Sequence, residues 1–392
     1  MKTLISILGA GNYRETIYQF EGIKEKTDYV LSIIEKAVNP DEIIIIGTDK
    51  SRWELADKKV KNYQKILIPF GKNYNEFWKI FETLTALDVE SKDIYLDLTH
   101  GFRSIPIFIS TVMNFFEKVK NAHIKGIYYG MFEVESDIKP VVDLMPILEI
   151  NRWIDGYTIF KEYGDSRKIS SLLYEKLSSL PAEERKELSA LNSLPKVLEK
   201  SSKAFGFTAL QMYEKSLRDI VDVSSKVKEV PNDLKAVEFL IDEINKISDD
   251  FKNIEKEWEK QLKLAKIYFD KNRYSQSLTT LREALLTYIL EENEIDWKDT
   301  KKRENILGNL ISEDIENLKK NKQPVFFPKD LLQLIDSVRE LRNKTNHGFI
   351  GRNSKEEEIK KAVEKLEDYL NKAQIILKMN KTQIKKMKNF IE

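Results

Sequence analysis

The chain has 392 residues, enough for two or three domains that each bury a core. Its 65 basic and 64 acidic side chains leave a net charge of +1, so no whole-molecule field drives it toward nucleic acid and any such site must be a local patch. Cysteine is absent and histidine occurs only as His100, His123 and His347, which excludes disulfides and thiolate nucleophiles and leaves too few ligands for a cysteine or multi-histidine metal centre. Thr3–Leu8 predicts a short strand ending at Gly9-Ala10-Gly11, and Lys24–Val38 has helical spacing. Asp41–Gly47 holds four consecutive isoleucines, a buried parallel strand by length and β-branching. Trp53–Lys61 predicts a helix and Lys65–Ile68 a strand. Tyr74–Leu87 is amphipathic, with Phe77, Trp78, Phe81, Leu84 and Leu87 on one core-facing stripe. Asp93–Leu98 predicts a strand, Pro106–Lys118 a helix and Lys125–Tyr129 a strand. This alternation predicts an α/β domain over residues 1–150, with an open, mostly parallel sheet covered by helices.

Past residue 150, glycine and proline thin out and 3.6-residue periodicity takes over. Helices are predicted over Asn151–Tyr163, Ser170–Leu177, Leu188–Phe205, Thr208–Val227, Leu234–Ile267, Tyr274–Glu292 and Lys329–Asn346, punctuated by Pro231, Pro324 and Pro328. Leu264–Glu292 resembles one tetratricopeptide-like helix pair without a second copy. The division is residues 1–150, a helical connector over 151–250 without a motif of its own, and a helical domain over 251–392. Asn371–Glu392 holds six lysines and one glutamate, read as a solvated helix face. Lys301-Lys302-Arg303 reads as a solvated loop and His123 as structural or surface. No secretory leader is read at the N-terminus. The longest apolar candidate, Ile105 to Phe116, is interrupted by Pro106, Ser110, Thr111 and Asn114, so no membrane span and a cytoplasmic location are expected.

Two clusters carry chemistry in the N-terminal half. Gly9-Ala10-Gly11 is read as following a strand and preceding a helix, a geometry in which backbone N–H groups and a helix N-terminus can hold a phosphate. Arg14 stands where a dinucleotide fingerprint needs its third glycine, which argues against a nicotinamide or flavin enzyme. Asp97-Leu98-Thr99-His100-Gly101-Phe102-Arg103 closes the Asp93–Leu98 strand, where open parallel sheets bind ligands. Two readings stand side by side for it: polar groups gathered around a ligand, or Asp97 and Thr99 capping the next helix with His100 satisfied locally. Asp-Leu-Thr-His-Gly resembles the Asp-x-Thr-His-Gly signature of CRISPR-associated proteins with a Rossmann-like sensor domain, CARF. The Gly9–Tyr13 turn is similar to that family's first loop. The resemblance implies a cyclic oligoadenylate activator, with family precedent pointing to cyclic tetra-adenylate, bound across the two-fold axis of a dimer. By the same resemblance Thr99, His100, Gly101 and Arg103 contact the ring, Gly9, Gly11, Asn12 and Tyr13 line it, and Thr48 and Asp49 are further candidates.

The C-terminal half carries VRELRNKTNHGF over 338–349. Leu331, Leu332, Leu334, Ile335, Val338 and Leu341 form an apolar face, and Gly348 ends the helix. Asn343 and His347 share a face at i,i+4, and Arg342 lies about 100° away. An imidazole moves protons near neutral pH, a guanidinium holds phosphate oxygens, and an amide orients either, which suits metal-free attack of a ribose 2′-hydroxyl on its own phosphodiester. An ordinary helix end with a dipole-favoured histidine is the alternative. Arg342, Asn343 and His347 resemble the Arg-x4–6-His motif of HEPN ribonucleases, whose two copies meet at a two-fold interface. The combined resemblance implies an allosteric endoribonuclease that cuts single-stranded RNA without a metal cofactor, as a homodimer or higher even-numbered homo-oligomer. A sensor without ribonuclease activity and a ring nuclease that degrades its activator are the rival readings.

Overall fold

The computed structural model describes residues 1–101, 104–226, 230–349, 356–380 and 384. The chain divides into two units, Met1–Arg152 and Trp153–Glu392.

The first unit is built on β1 (Lys2–Leu8), β2 (Thr16–Phe20), β3 (Ile23–Thr27), β4 (Glu42–Gly47), β5 (Gln64–Leu67), β6 (Asp93–His100), β7 (His123–Gly130) and β8 (Ile138–Asp143). These form one mixed sheet in the order β3-β2-β8-β7-β6-β1-β4-β5. The segment β5-β4-β1-β6-β7 is parallel throughout, whereas β8 runs antiparallel to β7 and β3 antiparallel to β2. The β-branched runs fill both faces because successive side chains alternate. Ile5, Ile7, Ile44 and Ile46 pack with α3 (Tyr74–Thr85) and α4 (Ser104–Val119) on one side. Leu4, Leu8, Ile43 and Ile45 pack with α1 (Leu31–Val38) and α2 (Trp53–Lys59) on the other. The boundary between the units falls inside α5 (Pro146–Tyr163), whose Trp153 and Phe160 belong to the second unit's core.

Three elements depart from the sequence expectation. Gly9-Ala10-Gly11 leads into the β2–β3 hairpin and not into a helix, so no helix N-terminus stands behind that loop. Lys24–Val38 begins in β3, and its helical part starts only at Leu31. The reason lies in the two-residue turn between Phe20 and Ile23: Glu21 and Gly22 take φ values of 47° and 78°, the left-handed pair that matches strand twist. Trp78 was expected in the core, yet it is 54% exposed while Phe77 and Phe81 pack inward. His123 is exposed, and its Nδ1 lies 3.5 Å from Asp93 across the β6–β7 pair.

The second unit contains α6 (Arg167–Ser179), α7 (Ala182–Glu187), α8 (Leu194–Gly206), α9 (Leu210–Ser224), α10 (Ala236–Lys252), α11 (Glu257–Asp270), α12 (Tyr274–Glu292), α13 (Gly308–Lys319), α14 (Lys329–Asn346) and α15 (Glu356–Met379). Two apolar clusters hold it together. One gathers Leu173, Leu198, Phe205, Leu217, Ile244 and Tyr268, and the other Leu281, Ile289, Leu307, Leu331, Val338 and Leu370. Leu234–Ile267 is two helices, not one. The turn between Lys252 and Glu257 lets α11 send Trp258 and Leu262 into one cluster and Leu264 and Tyr268 into the other. Lys301-Lys302-Arg303 is not a loop: Lys301–Leu307 is π-helical and Arg303 is buried. Of the basic tail, α15 buries Ala373 and Leu377, while residues 381–383 and 385–392 lie outside the described residues. No helix among the described residues is long and apolar enough to cross a membrane.

Candidate functional sites

Asp97 is fully buried at the end of β6, and a buried carboxylate requires donors. It has three: the Ser6 hydroxyl at 2.7 Å, the Thr99 N–H at 3.0 Å and the Thr99 hydroxyl at 2.6 Å. The Thr99 oxygen in turn accepts from the Gly130 N–H at 2.9 Å. This chain of bonds ties the ends of β1, β6 and β7 together. Asp97 serves the scaffold through Ser6 and Thr99, while Thr99 also lines a cleft.

His100 is held from within. Its Nε2 accepts the Val30 N–H at 3.1 Å at the start of α1, and its ring lies 4.1 Å from Tyr13 and 5.4 Å from Tyr29 between centroids. Burial pushes its pKa below the ordinary value, so the imidazole is neutral with the proton on Nδ1. The Tyr13 hydroxyl accepts from the Gly9 N–H at 2.9 Å and donates to the His100 carbonyl at 3.2 Å. Burial raises Tyr13 to about 12. A Cβ on Gly9 would stand 2.4 Å from the His100 carbonyl oxygen, and one on Gly101 would stand 2.7 Å from the Pro106 ring. Glycine at both positions is a packing requirement.

These groups open onto a cleft of about 420 Å³. Gly9, Gly11, Asn12, Tyr13, Thr99, His100 and Gly101, all singled out in the sequence, line it. Thr48 and Asp49 stand apart. Thr48 is buried with its N–H donated to the Ser51 hydroxyl at 2.8 Å, and its carbonyl accepts from the Trp53 indole at 2.8 Å. Asp49 is exposed. Arg103 lies outside the described residues. The sequence reading missed Arg14, Tyr18, Asp28, Tyr129, Gly130, Phe132 and Glu133, which with Ala10 complete the lining. Tyr129 and Gly130 end a parallel strand, so the strand-end rule applied to β7 as well as β6 would have found them. Mixed aromatic, glycine-backbone and charged surface of this kind suits ribose, phosphate and base together.

The second site sits at the end of α14, which buries the six predicted apolar residues along one face. Its last turn closes as a Schellman motif: Phe349 N–H donates to Lys344 at 2.9 Å and Gly348 N–H to Thr345 at 3.0 Å, with Gly348 at φ 60°. His347 caps the helix, and its N–H donates to the Asn343 carbonyl at 3.0 Å. Asn343 and His347 are exposed, and Arg342 is half-buried with an Nε that has no partner among the described residues. An imidazole, an amide and a guanidinium therefore stand within the last turn and cap of one helix, the first two exposed.

Residues 3–77 match the family described as "CRISPR system endoribonuclease Csx1, CARF domain". The chain is 28% identical over 360 residues to "CRISPR-associated protein MJ1674" of Methanocaldococcus jannaschii, covering 74% of this chain and 54% of that one. It is 25% identical over 138 residues to "CRISPR system endoribonuclease Csx1" of the same organism, covering 26% of this chain and 30% of that one. The chain thus spans about half the length of the first relative and less of the second. These similarities support a CRISPR-associated protein with a CARF domain at its N-terminal end.

Proposed function

We propose that this protein is an endoribonuclease of CRISPR antiviral defence, switched on by a cyclic oligoadenylate and cutting single-stranded RNA without a metal. The carrying observation is the exposed His347 at the Schellman-closed end of α14, with Asn343 one turn before it and Arg342 one residue earlier in the helix. In this reading His347 takes the proton of a ribose 2′-hydroxyl, and Arg342 steadies the charge that develops on the phosphate. Asn343 orients the imidazole or the phosphate. The bond from phosphorus to the 5′ oxygen breaks and that oxygen takes a proton from solvent, so the products are a 2′,3′-cyclic phosphate and a 5′-hydroxyl. Two copies of the chain supply the site, so the active form is a homodimer or a higher even-numbered assembly.

The first unit is the sensor. Its cleft supplies glycine backbone, Thr99 and aromatic rings to the adenylate ring, and the match of residues 3–77 to a CARF domain supports that ligand class. Binding activates because the ring favours the cutting-competent arrangement over the idle one. The test is cleavage of end-labelled RNA by the full chain and by His347→Ala, with cyclic tetra-adenylate present. The variant is expected to lose at least about 100-fold in rate while keeping its fold, and the wild-type products to carry cyclic phosphate ends. Undiminished cleavage by the variant would remove the ribonuclease assignment from α14.

A further inference from the structure

Two acidic side chains line the cleft of the first unit, Asp28 and Glu133. Asp28 lies 2.8 Å from the Lys59 ammonium, which neutralises it. Glu133 is exposed and forms no ion pair among the described residues. The ligand proposed for this cleft is a ring of phosphodiesters, and like charges set against each other weaken binding. A free carboxylate at such a site therefore points to a donor on the ligand, from which it accepts a charge-assisted hydrogen bond.

The β7–β8 turn fixes this carboxylate in place. The Tyr129 hydroxyl, at the end of β7, donates to Glu133 Oε1 at 2.9 Å, while Oε2 has no donor among the described residues. Burial, and after it the Glu133 carboxylate, raise the pKa of Tyr129 above the ordinary phenol value, so the phenol keeps its proton and remains the donor. The backbone of the turn is tied at both ends. The Met131 N–H donates to the Pro140 carbonyl at 2.9 Å, and the Gly130 N–H to the Thr99 hydroxyl oxygen at 2.9 Å. Phe132, next to Glu133, lines the same cleft and leaves 40% of its surface exposed. One short turn thus offers an aromatic ring for stacking and, beside it, an acceptor oxygen with its partner oxygen already bonded.

We propose that Glu133, positioned by Tyr129, accepts the exocyclic amine of an adenine in the bound ring, with Phe132 against the base, and so makes the cleft selective for adenylate. The assignment rests on the reading of the cleft as a cyclic oligoadenylate sensor. Such a ring carries two kinds of N–H or O–H donor, the base amine and the ribose 2′-hydroxyl. The adjacent aromatic ring favours the amine, because it places a base and not a sugar next to the carboxylate. A base without that amine leaves Glu133 as an unrelieved negative charge beside the phosphates, which supplies the discrimination.

The test is calorimetric titration of the full chain with cyclic adenylates of three to six units. The ring size that binds is then compared with two analogues, one with purine in place of adenine, which lacks only the amine, and one with 2′-deoxyribose. The wild-type chain is expected to bind the adenine ring about 10-fold or more tighter than the purine ring. In Glu133→Ala that preference is expected to shrink to about 2-fold or less at unchanged thermal midpoint, with the purine ring bound more tightly than by the wild type because the repulsion is gone. Tyr129→Phe, which frees the carboxylate, is expected to fall between the two. Three results would overturn the role of Glu133 while leaving the sensor reading intact. They are equal wild-type affinity for the adenine and purine rings, a preference that Glu133→Ala retains, and a Glu133 dependence that follows loss of the 2′-hydroxyl instead of the amine. Binding of no cyclic adenylate at all would remove the sensor reading and this assignment with it.

Discussion

Asp97, with no exposed surface and three donors, cannot lose its acceptor capacity without leaving a donor unmet. Asp97→Asn is therefore expected to destabilise the first unit by about 1–3 kcal/mol, read as a lower thermal midpoint and weaker activator binding. An unchanged midpoint would show that the bonds among Ser6, Thr99 and Gly130 do not hold the strand ends. His100 gives a pH dependence of defined sign. The folded protein keeps the imidazole neutral below its ordinary value of 6.5, whereas the unfolded chain protonates near that value. The unfolded state then binds more protons, so this contribution is intact above 6.5, is lost as pH falls below it, and levels off beneath the depressed folded value. His100→Gln retains an acceptor for the Val30 N–H and does not titrate. The wild-type midpoint should fall more steeply than the variant's between about pH 7 and 5. Parallel slopes would contradict the neutral, internally bonded imidazole.

At the scale of elements, α14 was readable because its apolar spacing and Gly348 agree on one register, and its observed range is the predicted one. Its Schellman end predicts that Gly348→Ala, forced into a left-handed backbone, costs about 1 kcal/mol and lowers RNA cleavage through the displaced His347. Circular dichroism and cleavage rates on the same sample check this; full activity with the lower midpoint would detach the helix end from catalysis. The five parallel strands were legible from their β-branched runs. The β2–β3 hairpin was not, because Glu21-Gly22 lacks the usual asparagine or aspartate and Lys24–Lys26 mimics a polar helical face. The α10–α11 break has no proline or glycine to announce it; it follows from the need of α11 to serve two clusters. The glycine loop and the β6 motif could be read as candidates locally. Tyr129 was within reach of the same strand-end rule applied to β7; Phe132 and Glu133 were not, since they lie past the strand end and their place depends on β8 returning antiparallel to β7 with Gly130 opposite Val141.

For the whole molecule, the proposal joins a ligand-binding unit to a cutting unit and requires two copies of the chain. Mass measurement by light scattering is expected to give an even multiple of the chain mass, and a purely monomeric active species would contradict the shared site. Activation without a change in oligomeric state remains compatible, because the ligand only has to prefer one arrangement. The most direct measurement is the rate of single-stranded RNA cleavage by the full chain, with no activator and with cyclic adenylates of three, four, five and six units in turn. The account predicts slow cleavage alone and a rise of at least about 10-fold with one ring size, cyclic tetra-adenylate being the expected one. A rate that no ring changes, or no cleavage under any of these conditions, would contradict it.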